Sequence, residues 1–181
     1  MILRILRLAI YELNHLVNRL ILYLHNVKFG RNVKINGLIY IRNKGQIVIG
    51  DNVIINSGRH PIGGQLFTKI TVYSGGFLKI GDNVGISNSS IVVQTRVEIE
   101  RGAMIGSSCN IWDTDFHSID SNVRGRPEDR GASAPVFIGE SAFIGAHSIL
   151  LKSSHIGARA IVGAGSVGSL KVADDKIFVR R

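Results

Sequence analysis

The chain has 181 residues, 45% hydrophobic and 19% charged, which is a globular composition that fits one domain and excludes general disorder. A net charge of +9 indicates an anionic partner: nucleic acid, a phosphate-bearing cofactor, an acidic polymer or a membrane surface. Cys109 is the only cysteine, which excludes an intramolecular disulfide and a multi-cysteine metal site.

Residues 1–26 are predicted to form an amphipathic helix, because apolar residues recur at three- and four-residue spacing. We expect its apolar face to cap one end of the core or to pack against a neighbouring subunit. A second interpretation is an interfacial helix whose arginines meet anionic lipid headgroups as a peripheral membrane contact. Charged residues interrupt the segment, so neither a signal peptide nor a membrane-spanning helix is expected, and the cytoplasm is the default location. The apolar stripe comprises Leu3, Leu6, Ile10, Leu13, Val17, Leu20 and Leu24.

From residue 27 onward, aliphatic residues recur every six positions. The longest unbroken series is Ile138, Ile144, Leu150, Ile156 and Val162. Glycine often follows the aliphatic residue, and a small or β-branched residue stands four places after it. Such a period suits short strands joined by tight turns, with glycine expected where φ is positive. Stacked coils of this kind form a solenoid with a core of small aliphatic side chains.

This pattern resembles the hexapeptide-repeat acyltransferases over residues 27–172, which implies a mostly β fold, a left-handed parallel β-helix. The predicted organisation is a helix (1–26), the β-helix domain (27–172) and a short C-terminal tail (173–181). Two loop excursions, 56–69 and 114–134, leave the repeat, and function tends to collect in such loops.

The sequence "IWDTDFHSID" stands where the repeat gives way to the larger excursion. A histidine with an ordinary pKa of about 6.5 suits a general base, provided that one ring nitrogen is held by an acceptor. His117 is the candidate base, and Asp115 or Asp113 is the candidate acceptor, with binding of substrate hydroxyls as the other possible role of these acids. "DTDFH" and the repeats after the loop resemble the sugar O-acetyltransferase branch of the family, which implies that His117 is catalytic.

The resemblance also implies where substrates bind. Ser87 and Asn88 match positions that hold the acceptor in relatives, and Trp112 is a candidate to line the acceptor groove, as are the arginines of the loop. Acetyl-CoA is the implied co-substrate, with no metal and no covalent intermediate. The cofactor-binding candidates are Phe143, Ala146, Ala164, Gly165 and Ser169. Relatives usually continue with a "GNPA" segment that helps to hold CoA, whereas this chain runs "GSLKVADDKIFVRR", in which Lys171, Arg180 and Arg181 are candidate replacements.

The predicted function is acetyl transfer to a sugar hydroxyl in the biosynthesis of bacterial surface polysaccharide or lipopolysaccharide. The resemblance implies a homotrimer with active sites between subunits. The alternatives are an N-acetyltransferase on an amino or nucleotide-linked sugar and a catalytically silent scaffold. Nucleic acid is not an expected partner, because the basic residues are scattered without an aromatic platform.

Three other candidate sites are less favoured by the sequence. Zinc bound as in the γ-class carbonic anhydrases is disfavoured, because Asn122 stands where their close histidine pair would need a histidine. Cys109 occupies a small, inward position of the repeat and is predicted to be core rather than nucleophile. His60 is predicted to be an ordinary loop residue.

Overall fold

The computed structural model describes residues 2–58 and 67–179, which form one helix and a long parallel solenoid. The helix α1 spans Ile2–Leu24. Within the described residues, the strands follow in this order: β1 (Val27–Phe29), β2 (Lys34–Asn36), β3 (Tyr40–Asn43), β4 (Gln46–Ile49), β5 (Ile54–Asn56), β6 (Lys69–Val72), β7 (Phe77–Ile80), β8 (Gly85–Ser87), β9 (Ser90–Val93), β10 (Arg96–Ile99), β11 (Met104–Ile105), β12 (Asn110–Trp112), β13 (Val136–Ile138), β14 (Phe143–Ile144), β15 (Ile149–Leu150), β16 (His155–Ile156), β17 (Ile161–Val162), β18 (Val167–Gly168), β19 (Lys171–Val172) and β20 (Ile177–Phe178).

Every third strand belongs to the same sheet, and every pairing between the strands is parallel. Sheet A contains β1, β4, β7, β10, β13, β16 and β19; sheet B contains β2, β5, β8, β11, β14, β17 and β20; sheet C contains β3, β6, β9, β12, β15 and β18. Each coil therefore crosses sheets A, B and C in turn, which confirms the predicted left-handed parallel β-helix. We name the turns between sheets the A–B, B–C and C–A corners. The last strand, β20, lies in the segment predicted as a tail.

The six-residue ladder of aliphatics forms the core, as predicted. Ile138, Ile144, Leu150, Ile156 and Val162 are all completely buried. Because the partners in each sheet are in register, equivalent aliphatics of successive coils stack in columns, for example Ile105 on Ile86 and Ile144 on Ile105.

The glycines after the aliphatics serve a different purpose from the predicted one. Gly106 and Gly139 do not have positive φ; a Cβ on either would lie 2.6 Å from a backbone nitrogen of the next coil. The positive-φ turn positions are often taken instead by Asn, Ser or His, such as Asn52 and Ser141. These glycines are therefore required by the close approach of successive coils.

Helix α1 covers the first coil with the side that bears Asn18 and Leu22, both of them buried. Asn18 is buried, and its amide donates to the Gly37 carbonyl at 2.7 Å and accepts from the Ile39 N–H at 3.2 Å. The first coil has no coil beneath it, so its open backbone groups need a polar partner. Much of the predicted apolar face, including Leu13 and Leu20, is exposed, and the expectation that this face caps the core is wrong. No helix in the described part of the chain is long and apolar enough to span a bilayer.

Candidate functional site

Residues 113–135 leave the C–A corner as a long loop between β12 and β13. The two ends of the loop run side by side: Thr114 pairs with Ser133 in an antiparallel bridge, and the Asp115 N–H donates to the Ala132 carbonyl at 2.9 Å. Gly131 allows this approach, since a Cβ there would lie 2.5 Å from the Phe116 nitrogen. This closed base holds the segment that carries the candidate histidine.

Asp113 anchors the base of the loop to the coil beneath it. Its carboxylate is completely buried and accepts from the backbone N–H groups of Gln94, Thr95 and Arg96 at 2.6–2.8 Å. The Thr95 hydroxyl donates as well, at 2.9 Å. A carboxylate without exposed surface does not contact a sugar directly, so the structure gives Asp113 an indirect role: it fixes the turn containing Gln94 and Thr95.

Asp115 forms an ion pair with Lys152, whose Nζ lies 2.9 Å from Oδ2. Both side chains are about 30% exposed, so the pair is reached by solvent but is not free in it. Lys152 stands at the same corner one coil later. The pair therefore joins the base of the loop to the following coil.

The partner of His117 is Asp129, which lies near the other end of the loop. His117 Nδ1 is 2.7 Å from Asp129 Oδ2, and neither Asp113 nor Asp115 takes the position predicted for them beside the ring. Asp129 also accepts from the N–H groups of Gly125 at 2.8 Å and Ser118 at 2.6 Å. These two N–H groups and the imidazole lower the pKa of Asp129 to about 2.

This arrangement defines the tautomer of the imidazole. Because Asp129 is ionised at neutral pH and can only accept hydrogen bonds, Nδ1 of His117 carries the proton that it donates. Nε2 of the neutral ring is then the unprotonated nitrogen. The side chain is 69% exposed, whereas the Asp129 side chain is only 7% exposed. A held carboxylate and an exposed ring nitrogen are what a general base requires.

His117 borders a cleft of about 480 Å³ at the C–A corner. The floor comes from earlier coils and the wall from the loop: Tyr73, Gln94, Thr95, Thr114, His117 and Arg130 are among its lining residues. Hydroxyl, amide and guanidinium groups are present beside the apolar surface of the lining, and a few such polar groups suit the orientation of a hydroxylated ligand.

Trp112 lies beside this cleft at the end of β12. Its ring meets that of Phe116 edge to face, with centroids 5.5 Å apart. Its buried Nε1 has no hydrogen-bond acceptor among the residues that the structure describes. A buried indole N–H normally has an acceptor, so Trp112 is an exception among the described residues.

Ser87 and Asn88, which were predicted to bind the acceptor sugar, lie at the B–C corner and not beside His117. The Ser87 hydroxyl accepts from the Asn56 amide at 3.0 Å, and Asn88 donates to the Gly58 carbonyl at 3.0 Å. Sheet C separates this corner from the C–A corner, and at about 3.3 Å per residue its strands make the two corners roughly 10 Å apart or more.

The predicted cofactor residues divide between two corners and one sheet. Ala146, Ala164 and Gly165 lie at the B–C corner, where the Gly165 N–H donates to the Ala146 carbonyl at 2.9 Å. Ser169 lies at the C–A corner and donates to the Lys152 carbonyl at 2.7 Å. Phe143 projects from sheet B and is 46% exposed. A single chain therefore does not gather them around His117.

The structure describes two of the three lower-ranked candidates. Cys109 is completely buried, and burial raises the pKa of its thiol to about 11, which is unsuited to a nucleophile. Among the described residues, no group of three or more His, Cys, Asp or Glu is placed to hold a metal ion. His60, Arg180 and Arg181 lie outside the described residues.

Several residues of the site were missed by sequence reasoning, among them Asp129, Tyr73, Gln94 and Thr95. The last three occupy the C–A corner one and two coils before His117, so stacking the corners in register would have found them. Asp129 carries no such signal, because it lies in a loop outside the repeat.

No family model matches the chain. Over 165 residues it is 28% identical to the Bifunctional protein GlmU of Zymomonas mobilis, covering 87% of this chain and 36% of the relative. The protein of the same name from Listeria monocytogenes is 25% identical over 185 residues, covering 86% and 38%. The chain thus spans little more than a third of the length of these curated relatives.

Among solved structures, the chain is similar to AntD, an N-acyltransferase from Bacillus cereus. A mutant in complex with dTDP and coenzyme A has a TM-score of 0.58 and 22% identity, covering 84% of this chain and 78% of AntD. A second mutant, in complex with dTDP-4-amino-4,6-dideoxyglucose and coenzyme A, has a TM-score of 0.53 and 23% identity, covering 85% and 79%.

The repeat, the coil and these likenesses together confirm the resemblance to the hexapeptide-repeat acyltransferases. The sugar O-acetyltransferase branch within them stays a prediction.

Proposed function

We propose that the chain is an acetyl-CoA-dependent acetyltransferase that acts on a sugar hydroxyl, with His117 as the general base. The observation that carries this proposal is the pair formed by His117 Nδ1 and Asp129 Oδ2 at 2.7 Å, at the edge of the cleft. The pair places the basic nitrogen on the exposed side of the ring. A scaffold without activity has no need of such an arrangement.

The reaction is a direct transfer. Nε2 of His117 accepts the proton of a sugar hydroxyl while that oxygen attacks the thioester carbon of acetyl-CoA. The tetrahedral intermediate collapses by breaking the carbon–sulfur bond, and the departing thiolate takes the proton from His117. Asp129 remains ionised throughout and stabilises the imidazolium that forms between these two steps.

The acceptor is proposed to occupy the cleft beside His117. The side chains of Tyr73, Gln94 and Thr95 offer both donors and acceptors to sugar hydroxyls. Asp113 supports this floor from beneath. Trp112 would support the cleft through its edge-to-face contact with Phe116, which lines it.

The donor is proposed to run along the later coils. Support comes from the coenzyme A that accompanies the similar AntD structures and from the small residues Ala146, Ala164 and Gly165 at one corner. Phe143 offers an exposed apolar ring on the neighbouring sheet. Ser169 stands above Lys152 at the corner of the loop, where it is placed to meet a polar part of the donor.

The same separation supports the proposal of an oligomer with sites between subunits, which the sequence resemblance gives as a homotrimer. His117 and the small residues of the B–C corner lie on opposite edges of sheet C in one chain, so a second copy is needed to bring a B–C corner to the cleft. The predicted acceptor residues Ser87 and Asn88 share that corner and would enter the site in the same way.

Transfer to an amino group is the second candidate, and the AntD likeness favours it. AntD is an N-acyltransferase, and one of its mutants was crystallised with an amino sugar linked to dTDP. A His117 with the same tautomer would accept a proton from an attacking amine. The surface-polysaccharide pathway and a place at the inner face of the membrane rest on the sequence resemblance and the basic helix.

The test measures thiol release from acetyl-CoA with a panel of sugars, nucleotide-linked sugars and their amino analogues. His117→Ala should lower acceptor-dependent release about a hundredfold or more, the usual scale for loss of a general base. His155→Gln is the matched control, because that ring stacks on Phe137 in sheet A, away from the cleft.

Release that survives in a folded His117→Ala variant would remove His117 as the base. Release with amino analogues alone would replace the hydroxyl acceptor by an amine. An absence of both release and coenzyme A binding would favour the scaffold.

A further inference from the structure

The exposed face of helix α1 is strongly apolar for a surface element. Leu13, Leu16, Leu20, Tyr23 and Leu24 are each at least 55% exposed, and their spacing places them on one side of the helix. The opposite side, centred on Asn18 and Leu22, is fixed against the first coil. The apolar side therefore cannot turn inward without breaking the cap.

Charge is concentrated at the same end of the solenoid. Residues 1–60 carry nine Lys and Arg against two Asp and Glu, whereas residues 61–181 carry thirteen against eleven. Most of the excess positive charge thus lies in the helix and the first coils. A difference of this kind between two ends of a molecule indicates an anionic partner at one of them.

The first coil, residues 27–44, contains five basic residues and no acid. Lys28 projects from sheet A, Lys34 from sheet B and Arg42 from sheet C, while Arg31 and Lys44 occupy corners, and all five are exposed. Arg31 pairs with Asp51, but the other four have no ion pair within the part of the chain that the structure describes. They form a basic collar, Lys28, Lys34, Arg42 and Lys44, around the base of the helix.

We propose that this end of the molecule docks on an anionic lipid bilayer, with the apolar side of α1 in the interface and the basic collar on the headgroups. Stable attachment of a peripheral protein generally needs two signals, and here an apolar helix face and a basic cluster lie side by side. Tyr23 and Tyr40, 78% and 54% exposed, add the aromatic side chains that favour the headgroup level.

The rival occupant is a second copy of the chain. Leu13, Leu16, Leu20 and Tyr23 follow the alternating three- and four-residue spacing of a coiled-coil seam. Pairing of two copies through this face would, however, bring two basic collars together without acids to neutralise them, and like charges oppose such contact. The bilayer satisfies both the apolar face and the collar, so it is the favoured occupant.

The test is flotation of the purified full chain with vesicles of phosphatidylcholine alone or with 30% phosphatidylglycerol, the latter chosen as about one anionic lipid in three. The protein should float with the anionic vesicles, and the bound fraction should fall as salt is raised. Lys34→Gln with Lys44→Gln should weaken binding roughly 30-fold, at about tenfold per 1.4 kcal/mol and about 1 kcal/mol per basic residue.

The matched control is Arg159→Gln with Lys176→Gln, which removes the same charge at the far end of the solenoid, at two exposed positions without a proposed site role, and should leave flotation unchanged. Leu16→Gln with Leu20→Gln should lower binding by about 100-fold or more through loss of apolar contact. These side chains are exposed, so the thermal midpoint should stay that of the wild type. All variants keep the residues of the cleft, and transfer to a water-soluble acceptor should be unaffected.

Failure of the wild-type protein to float with anionic vesicles at low salt would overturn the proposal. The proposal would also be overturned if the protein bound both kinds of vesicle equally and neither double variant changed that binding. If the Leu16 and Leu20 variant instead reduces the oligomer mass by light scattering while the wild type ignores vesicles, the face is occupied by a second copy.

Discussion

Replacing Asp129 by Asn tests whether the loop orients the base. The amide keeps the size of the side chain but can present an N–H to Nδ1 of His117, which then becomes the acceptor and leaves the proton on Nε2. A ring with a protonated Nε2 cannot remove a proton from the sugar hydroxyl. The same exchange in a protease triad, a worked case of this effect, lowers kcat by about 10⁴.

The expected loss here is smaller, because the ring of His117 is 69% exposed and can turn to recover the useful tautomer part of the time. We expect kcat/KM to fall about 100-fold, or roughly 2.7 kcal/mol of transition-state stabilisation. KM for acetyl-CoA should change little, since Asp129 lies in the loop and not on the coils proposed to hold the donor.

The assay is thiol release as a function of acceptor concentration, and the control is Asp120→Asn. Asp120 belongs to the same loop and its carboxylate accepts the Asn122 N–H at 2.8 Å, away from the His117 ring, so its loss of charge should leave kcat/KM within about twofold. If Asp129→Asn retained full activity while His117→Ala had none, the base would not depend on this carboxylate. The orienting role assigned to Asp129 would then be refuted.

Three further outcomes are expected. Gly139→Ala should lower the free energy of unfolding by about 1–3 kcal/mol in denaturant titration, because its Cβ would overlap the next coil. Gly163→Ala should lower it much less, since the nearest atom to a Cβ there is 3.3 Å away. Equal losses in the two variants would contradict the role given to contact between coils. Asp113→Asn should lower the free energy of unfolding by about 2–3 kcal/mol in the same titration, because the buried carboxylate that accepts the backbone N–H groups of Gln94 and Arg96 loses its charge. An unchanged unfolding midpoint would show that Asp113 does not anchor the loop. The pKa of Asp129 is lower in the folded chain than in the unfolded chain, so the ionised carboxylate stabilises the fold above about pH 4, and this stabilisation is lost as pH falls towards 2. The fluorescence of Trp112, the one tryptophan of the sequence, should report loosening of the loop between pH 4 and 2 and no loosening between pH 5 and 8.

The fold was predictable because every coil repeats the same physical requirement. Each six-residue unit needs one buried aliphatic side chain, so aliphatic residues recur every six positions in the sequence. This period differs from that of an α-helix and from the two-residue alternation of a simple hairpin. Gly106 and Gly139 show the limit of that reasoning. The repeat predicts that glycine is needed at these positions, but we expected positive φ to be the reason. The structure shows that the next coil leaves no room for a side chain, and this contact cannot be predicted without knowing the register between successive coils.

The candidate site was predictable only in part, for a similar reason. His117 stands at a break in a regular pattern, and both this position and the resemblance of "DTDFH" to sugar O-acetyltransferases point to it. Asp113 and Asp115 are the nearest acids in sequence, yet neither contacts the ring. Asp113 accepts hydrogen bonds from the turn that contains Thr95, and Asp115 forms an ion pair with Lys152. Asp129 reaches the ring because the loop folds back on itself, and an irregular loop has no period from which that return can be read.

The arrangement of the site also explains why the loop exists. A bare solenoid offers flat sheets and narrow corners, and none of these encloses a substrate. The loop adds a wall at one corner, and its closed base, held by Asp113 below and Lys152 above, lets an exposed imidazole keep a fixed partner. The regular coils thus supply the rigidity that the proposed general base needs, and the interruption supplies the cleft. Since the small residues proposed for the donor lie across sheet C, the proposed site would be completed by the B–C corner of a second subunit.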